Sequence, residues 1–295
     1  MIRTLPVAVM MLCVLLLPPA GADAAVLYAA DGATGHPSSL HVLNPVNGAV
    51  LSVVGPIGFA VTGLAVHPIT GDLYGSTANQ DENAAGSLIR IDKTTGQGTL
   101  IGPYGLRGTL TDLTFTSDGT LYGWAQPDRA LFTVNLTTGR ATRVGNFTVG
   151  FGTFGSGIAA AANTLFLAGG GGQGPFFRVD RTTGVAVAFG SLDWEQNGPI
   201  AALTFGPGGL YGLGISPFLG DLSTWLLRID PVSRHVTVLG PSLLFGDAIA
   251  FDPPSFPAVA DPVAVPALSD LAFAILAALL AGVAVYAMRR RSARP

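Results

Sequence analysis

Two aspartates and three glycines are the residues whose type and spacing most invite a chemical reading. Asp112 and Asp247 each stand just ahead of a short apolar run, 112–115 and 248–251; if those runs are equivalent strands, both carboxylates face one mouth of a channel and could hold a cation together. Hard cations take about six or more oxygens, however, and the matching positions Thr62, Ser156 and Pro199 add at most two hydroxyls. The competing reading has each Asp capping backbone amides where its strand starts. Gly169, Gly171 and Gly174 satisfy GxGxxG, but Pro175, Phe176 and Phe177 follow as a strand where a dinucleotide site needs a helix, so the segment reads as a loop. His36, His41, His67 and His235 are scattered without ligand spacing, and no HExxH, Walker or GxSxG sequence occurs. Asp81-Glu82-Asn83 lacks the spacing of an EF-hand loop and reads as solvated. Trp124, Trp194 and Trp225, with Tyr104, Phe151, Phe154 and Phe218, could stack on sugars; the alternative is that they fill wedges between structural units, since large aromatics contribute most through buried area. No catalytic set and no cofactor emerges.

The elements that must position these residues come from an internal repeat. Tyr28, Tyr74, Tyr122, Phe166 and Tyr211 recur at intervals of 46, 48, 44 and 45 residues, within the words Leu-Tyr, Leu-Tyr-Gly or Leu-Phe, and this is a propeller-blade period. After each word comes an alternating strand, 40–44, 88–92, 131–135, 176–180 and 226–230, then a turn opened by Asn44, Asp92, Asn135, Asp180 or Asp230. Four turns close on glycine, Gly48, Gly96, Gly139 and Gly184, which takes positive φ readily; Arg234 in the fifth predicts a looser turn. Ahead of the words lie strands at 63–66, 112–115, 157–160 and 201–205. A fifth copy at 248–251 has no word after it, while the word at Tyr28 has no such strand before it. The two ends complete one blade, so residues 25–254 predict an all-β, five-bladed β-propeller closed by pairing of N- and C-terminal strands, which hides nearly all strand edges.

Charge excludes one partner class. The propeller segment holds ten basic and fifteen acidic residues with no basic run, so nucleic acid is not expected.

The two ends read as addresses. Residues 1–24 have Arg3, an apolar stretch at 7–17 and small residues through Ala24, the pattern of a signal helix cut by signal peptidase. The sole cysteine, Cys13, leaves with it, so the mature chain has no disulfide. At the other end, prolines at 253, 254, 257, 262 and 266 predict an extended spacer over 255–264. A motif follows, Val265, Pro266, Ala267, Leu268, Ser269 and Asp270, then an uncharged apolar run, 271–288, closed by Arg289, Arg290 and Arg291. Eighteen helical residues span about 27 Å, near the thickness of a hydrocarbon core, and the basic end should stay cytoplasmic. A transmembrane helix is therefore expected, with everything before it outside.

This tail, residues 265–295, resembles the IPTL-CTERM class of bacterial sorting signals, related to PEP-CTERM tails, with Val265 and Ala267 where the name-giving motif has Ile and Thr. The resemblance implies recognition by an exosortase-like sorting enzyme at the inner membrane, delivery to the cell envelope or surface, and association with exopolysaccharide. The body is similar to divergent bacterial β-propeller repeats. It lacks the Trp-Asp of WD40 repeats and the box of sialidase-like blades, so no catalytic residue carries over. The expected function is a secreted, non-enzymatic binding or display propeller, with a surface polysaccharide or protein as ligand. The competing class is an envelope enzyme, lactonase-like or another hydrolase, with its site at one mouth of the channel.

Overall fold

The computed structural model describes residues 25–32, 35–126, 128–145, 156–162, 164–169, 175–194, 198–216 and 223–259. The signal segment, the sorting motif with its basic stop, and 271–288 lie outside these residues.

Five four-stranded antiparallel sheets make the ring. Blade 1 contains β1 (Val26–Asp31), β2 (Ser39–Leu43) and β3 (Val50–Pro56); blade 2 is β4 (Val61–Val66), β5 (Leu73–Thr77), β6 (Ser87–Ile91) and β7 (Gly98–Pro103). Blade 3 is β8 (Thr109–Phe115), β9 (Leu121–Gln126), β10 (Ala130–Val134) and β11 (Ala141–Arg143). Blade 4 is β12 (Ile158–Ala160), β13 (Leu165–Ala168), β14 (Pro175–Val179) and β15 (Ala186–Ser191). Blade 5 is β16 (Ile200–Gly206), β17 (Gly209–Ile215), β18 (Ser223–Ile229) and β19 (Val236–Leu244). The innermost strand of blade 1 is β20 (Gly246–Asp252), which pairs with β1 from Val26↔Asp252 to Asp31↔Gly246. The ring thus closes with strands from both ends, as the repeat predicts.

Strands of a blade are apolar on both faces because each sheet is packed between two others. Five clusters of buried side chains fill the five gaps between blades. The repeated aromatic of each second strand enters the gap toward the following blade. Tyr74 meets Phe115 at 5.6 Å between ring centroids, Phe166 meets Phe205 at 6.0 Å and Tyr211 meets Phe251 at 4.9 Å. These phenylalanines end the inner strands; Ala160 holds that position in blade 4, and Phe256 packs into the Tyr122 cluster beside it.

At the outer rim, the closing glycine of a turn packs on the backbone of the preceding blade. A methyl group on Gly139 would stand 2.1 Å from the Gly102 carbonyl oxygen, so this approach needs glycine, as does the φ of 76°. The fifth turn is not looser, contrary to the expectation from Arg234. Arg234 adopts φ 68°, its N–H donates to Asp230 O at 2.8 Å, and Val232 N and Ser233 N donate to Asp230 Oδ1 at 2.8 and 3.1 Å. The compensating glycine sits on the neighbour: Gly190, in β15, leaves the space the Arg234 side chain occupies.

Candidate functional site

The inner strands converge until backbone meets backbone. Pairing aligns Leu64, Leu113, Ile158, Leu203 and Ile249 around the axis, opposite Gly75, Gly123, Leu167, Gly212 and Ala29. One residue earlier stand Gly63, Asp112, Gly157, Ala202 and Ala248. A methyl group on Gly63 would lie 2.7 Å from Asp112 Cα, and one on Gly157 would lie 2.5 Å from the Ala202 carbonyl carbon. Asp112 is the only side chain longer than a methyl group at this level.

Its carboxylate is fully buried and fully engaged. Leu113 N donates to Oδ1 at 2.8 Å, while Ile158 N and Leu203 N donate to Oδ2 at 2.9 and 3.0 Å. One side chain therefore ties β8, β12 and β16, the inner strands of three blades. Burial pushes this carboxyl well above the usual range against the pull of the three amides, and the nearby Asp247 charge adds to the rise.

Asp247 lies at the same end of the axis but not in the same place. The β1–β20 register shifts between Ala30 and Asp31, leaving Asp247 as the extra residue of a bulge; the matching bulge residues are Thr62, Thr111 and Ala201. Thr62 Oγ1 donates to Leu110 O at 3.0 Å and Thr111 Oγ1 to Ser156 O at 3.1 Å, so the fold uses this position for a hydroxyl that bonds the next blade. Asp247 has no hydroxyl, is half-buried, and makes no hydrogen bond to the described residues. Burial pushes its carboxyl up to about 7. The two aspartates are thus close enough to feel each other, yet one is saturated with amides. No group of three or more His, Cys, Asp or Glu converges among the described residues.

The remaining candidates are dispersed. His41 Nε2 pairs with Asp31 Oδ2 at 3.0 Å and His235 Nδ1 with Asp193 Oδ2 at 2.8 Å, on different blades. Burial raises the Asp31 carboxyl, but the His41 bond and the Ser39 amide outweigh it and hold the group below the usual range. Gly169 follows β13, Gly171 and Gly174 lie outside the described residues, and the next described element is β14, a strand rather than a helix. Asp81, expected to be solvated, is buried and accepts amides from Ala60, Asn83 and Ala84, which fixes the link between blades 1 and 2. Trp124, Trp194 and Tyr104 are core residues, at most 4% exposed, so they fill wedges and are closed to a sugar; Trp225 is partly buried against the gap between blades 4 and 5.

The opposite mouth is covered by the chain itself. After β20, Ser255 N donates to Phe205 O at 3.3 Å, Pro257 O accepts from Ala162 N at 3.1 Å, and Phe256 and Val259 pack on two gap clusters. Beneath this strap remains a cavity of about 20 Å³ lined by Leu64, Val66, Phe115, Phe205, Phe251 and Phe256, room for about one water. The spacer expected from residue 255 thus begins in contact with the ring, through residue 259. Sequence reasoning missed this strap because prolines signal only extended backbone.

No family model and no curated protein matches the chain. Among solved structures it is similar to a chain of a nidogen/laminin complex, with 11% identity, a TM-score of 0.52, and coverage of 77% of this chain and 98% of that one. It is also similar to a protein of unknown function from Bacteroides caccae, with 11% identity, a TM-score of 0.51 and the same two coverages. These likenesses show the β-propeller fold.

Proposed function

We propose that the chain is an exported envelope protein whose ring is a non-enzymatic binding and display module, delivered by the C-terminal sorting signal. The observation that carries this reading is the pairing Val26↔Asp252. It puts both ends of the ring on one face, the face of the Asx-x-Thr-Thr-Gly turns. A signal segment ahead of Ala25 and a sorting tail beyond Val259 then both leave from that side, and the opposite loop face is free to meet a ligand. The amide-saturated Asp112 and the strap across the other mouth also favour a ring built as a rigid body. The envelope ligand, on this reading, is a surface polysaccharide or a protein held by the loop face, and an exosortase-like enzyme is the processing partner.

The test is external proteolysis of intact bacteria expressing the full chain or a version lacking residues 271–295. The reading expects the full chain to yield a ring retained at the envelope and reached by protease, and the truncated chain to be released into periplasm or medium. A ring that stays in the cytoplasm in both cases would overturn it.

A further inference from the structure

At the loop-face mouth of the axis, each blade places one residue just before the level of Gly63, Asp112, Gly157, Ala202 and Ala248. From blade 1 to blade 5 these are Asp247, Thr62, Thr111, Ser156 and Ala201. Four are bulge residues, and Ser156 bridges to Ile200, the neighbour of Ala201. Sequence spacing counts two hydroxyls at this mouth, on Thr62 and Ser156; the bulge that sets Asp112 one level deeper brings in Thr111 as a third. One level below, the strands touch: a methyl group on Gly63 would stand 2.7 Å from Asp112 Cα, and one on Gly157 would stand 2.5 Å from the Ala202 carbonyl carbon. Oxygens carried just above that level are therefore gathered around a single axis. Thr62, Thr111 and Asp247 are partly exposed, and on innermost strands the solvent they meet is that of the mouth.

What these groups have left to offer is lone pairs. Thr62 Oγ1 donates its one hydrogen to Leu110 O at 3.0 Å and Thr111 Oγ1 to Ser156 O at 3.1 Å, so each oxygen keeps only acceptor capacity. Ser156 is 0% exposed, yet its Oγ has no hydrogen-bond partner. A buried hydroxyl left alone is costly and points to a ligand that completes it. The Asp247 carboxylate accepts no hydrogen bond from the described residues, and the Asp112 carboxylate lies close by. No Lys, Arg or His among the described residues pairs with either of the two. A mouth that offers acceptors and negative charge without a balancing cation is built to take one.

We propose that this mouth binds one hard divalent cation, Ca²⁺, through the carboxylate of Asp247 and the hydroxyl oxygens of Thr62, Thr111 and Ser156, with water on the open side. The donors are all oxygen, which excludes soft metals, and an irregular ring open to solvent suits the flexible coordination of Ca²⁺ better than the strict octahedron of Mg²⁺. Asp112 is no ligand, because its oxygens are spent on three amides, but its charge lies below the site and favours a cation. Three of the four ligands are hydroxyls, so no cluster of acids marks the place. One carboxylate makes the site weak, with Kd on the order of 10⁻⁴ to 10⁻³ M. The inference stands on the ring alone and is independent of how the chain is delivered.

The experiment uses the full chain in a nonionic detergent at pH 8, titrated with CaCl₂ by calorimetry and melted in EDTA, in CaCl₂, or in NaCl of the same ionic strength. The proposal expects one Ca²⁺ per chain and a melting temperature that rises with CaCl₂ but not with NaCl. Asp247→Asn should weaken binding by about tenfold or more and abolish the thermal response. Ser156→Ala should weaken binding by about threefold or more while its melting temperature in EDTA is unchanged or higher, since a hydroxyl without a partner contributes nothing to the metal-free ring. Glu82→Gln, in an exposed loop, should bind as the parent does. Absence of Ca²⁺ binding overturns the proposal, as does binding that survives Asp247→Asn, which belongs to the surface. Unchanged affinity in Ser156→Ala, or an equal response to NaCl, overturns it too.

Discussion

The backbone N–H of Leu203 in blade 5 donates to the carboxylate of Asp112 in blade 3 at 3.0 Å, across a ring axis whose other matching positions are Gly63, Gly157, Ala202 and Ala248. With Ile158 N bonded to the same oxygen at 2.9 Å, three inner strands depend on one residue. Asp112→Ala would leave three buried amides without acceptors. At about 1–3 kcal/mol for each unsatisfied buried group, the loss should reach roughly 3 kcal/mol or more. Asp112→Asn, which keeps one acceptor oxygen, should lose less. Urea unfolding of the two variants checks the order.

Asp247 makes stability depend on pH with a definite sign. Its carboxyl is raised in the folded ring to about 7, so between the ordinary carboxylate range and neutrality the folded state holds a proton that the unfolded chain releases. The Asp247 share of stability should therefore fall as pH rises from about 4 to about 7, and Asp112, raised in the same direction, carries the fall further above neutrality. Asp247→Thr supplies the hydroxyl that Thr62 and Thr111 use at the matching positions. It should remove the part of the fall between about pH 4 and 7, leave the part due to Asp112, and raise the melting temperature at pH 8. Thermal melts at pH 4.5, 6 and 8 decide it.

Gly190 and Arg234 are complementary, because a methyl group on Gly190 would stand 2.6 Å from Arg234 Nε and the φ of Gly190 is 134°. Gly190→Ala should destabilise by about 2 kcal/mol, from strain in a conformation L residues avoid and from displacement of the arginine. Arg234→Gly relieves a positive φ that costs about 1–2 kcal/mol and forfeits a cation–π contact with Phe189 at 6.0 Å, worth about 0.5–1 kcal/mol. It should be near neutral, and the double variant should lose less than the sum, which a double-mutant cycle in urea measures.

The strap is held by Phe256, which packs in the gap where Ala160 replaces the phenylalanine of blades 1, 3 and 5. Phe256→Ala should cost about 1–3 kcal/mol and speed hydrogen exchange at Ala162 N, whose acceptor is Pro257 O. A variant with Ala160→Phe should recover part of the loss, read by the same exchange rates.

Much of this architecture was legible because the words around Tyr28, Tyr74, Tyr122, Phe166 and Tyr211 repeat at blade length, and because the unmatched strand at 248–251 completes the unmatched word at Tyr28. The site was legible only in part. Asp112 and Asp247 both stand at the start of inner strands, but a one-residue bulge separates their places, and bulges leave no mark in alternation. The pairing of Arg234 with Gly190 joins positions 44 residues apart that no local turn rule connects. Asp81 sits in an acidic-looking loop, yet its carboxylate is spent on the amide of Ala60, a contact set by how blades 1 and 2 meet.

Under the proposed function, a sorting enzyme removes the tail once the exported ring reaches the membrane. Mass spectrometry of the mature C-terminus from the native host tests this most directly. The expected terminal peptide ends before Leu271 and lacks Arg289, Arg290 and Arg291; an intact arginine-bearing C-terminus on the mature protein would rule out processing by a sorting enzyme.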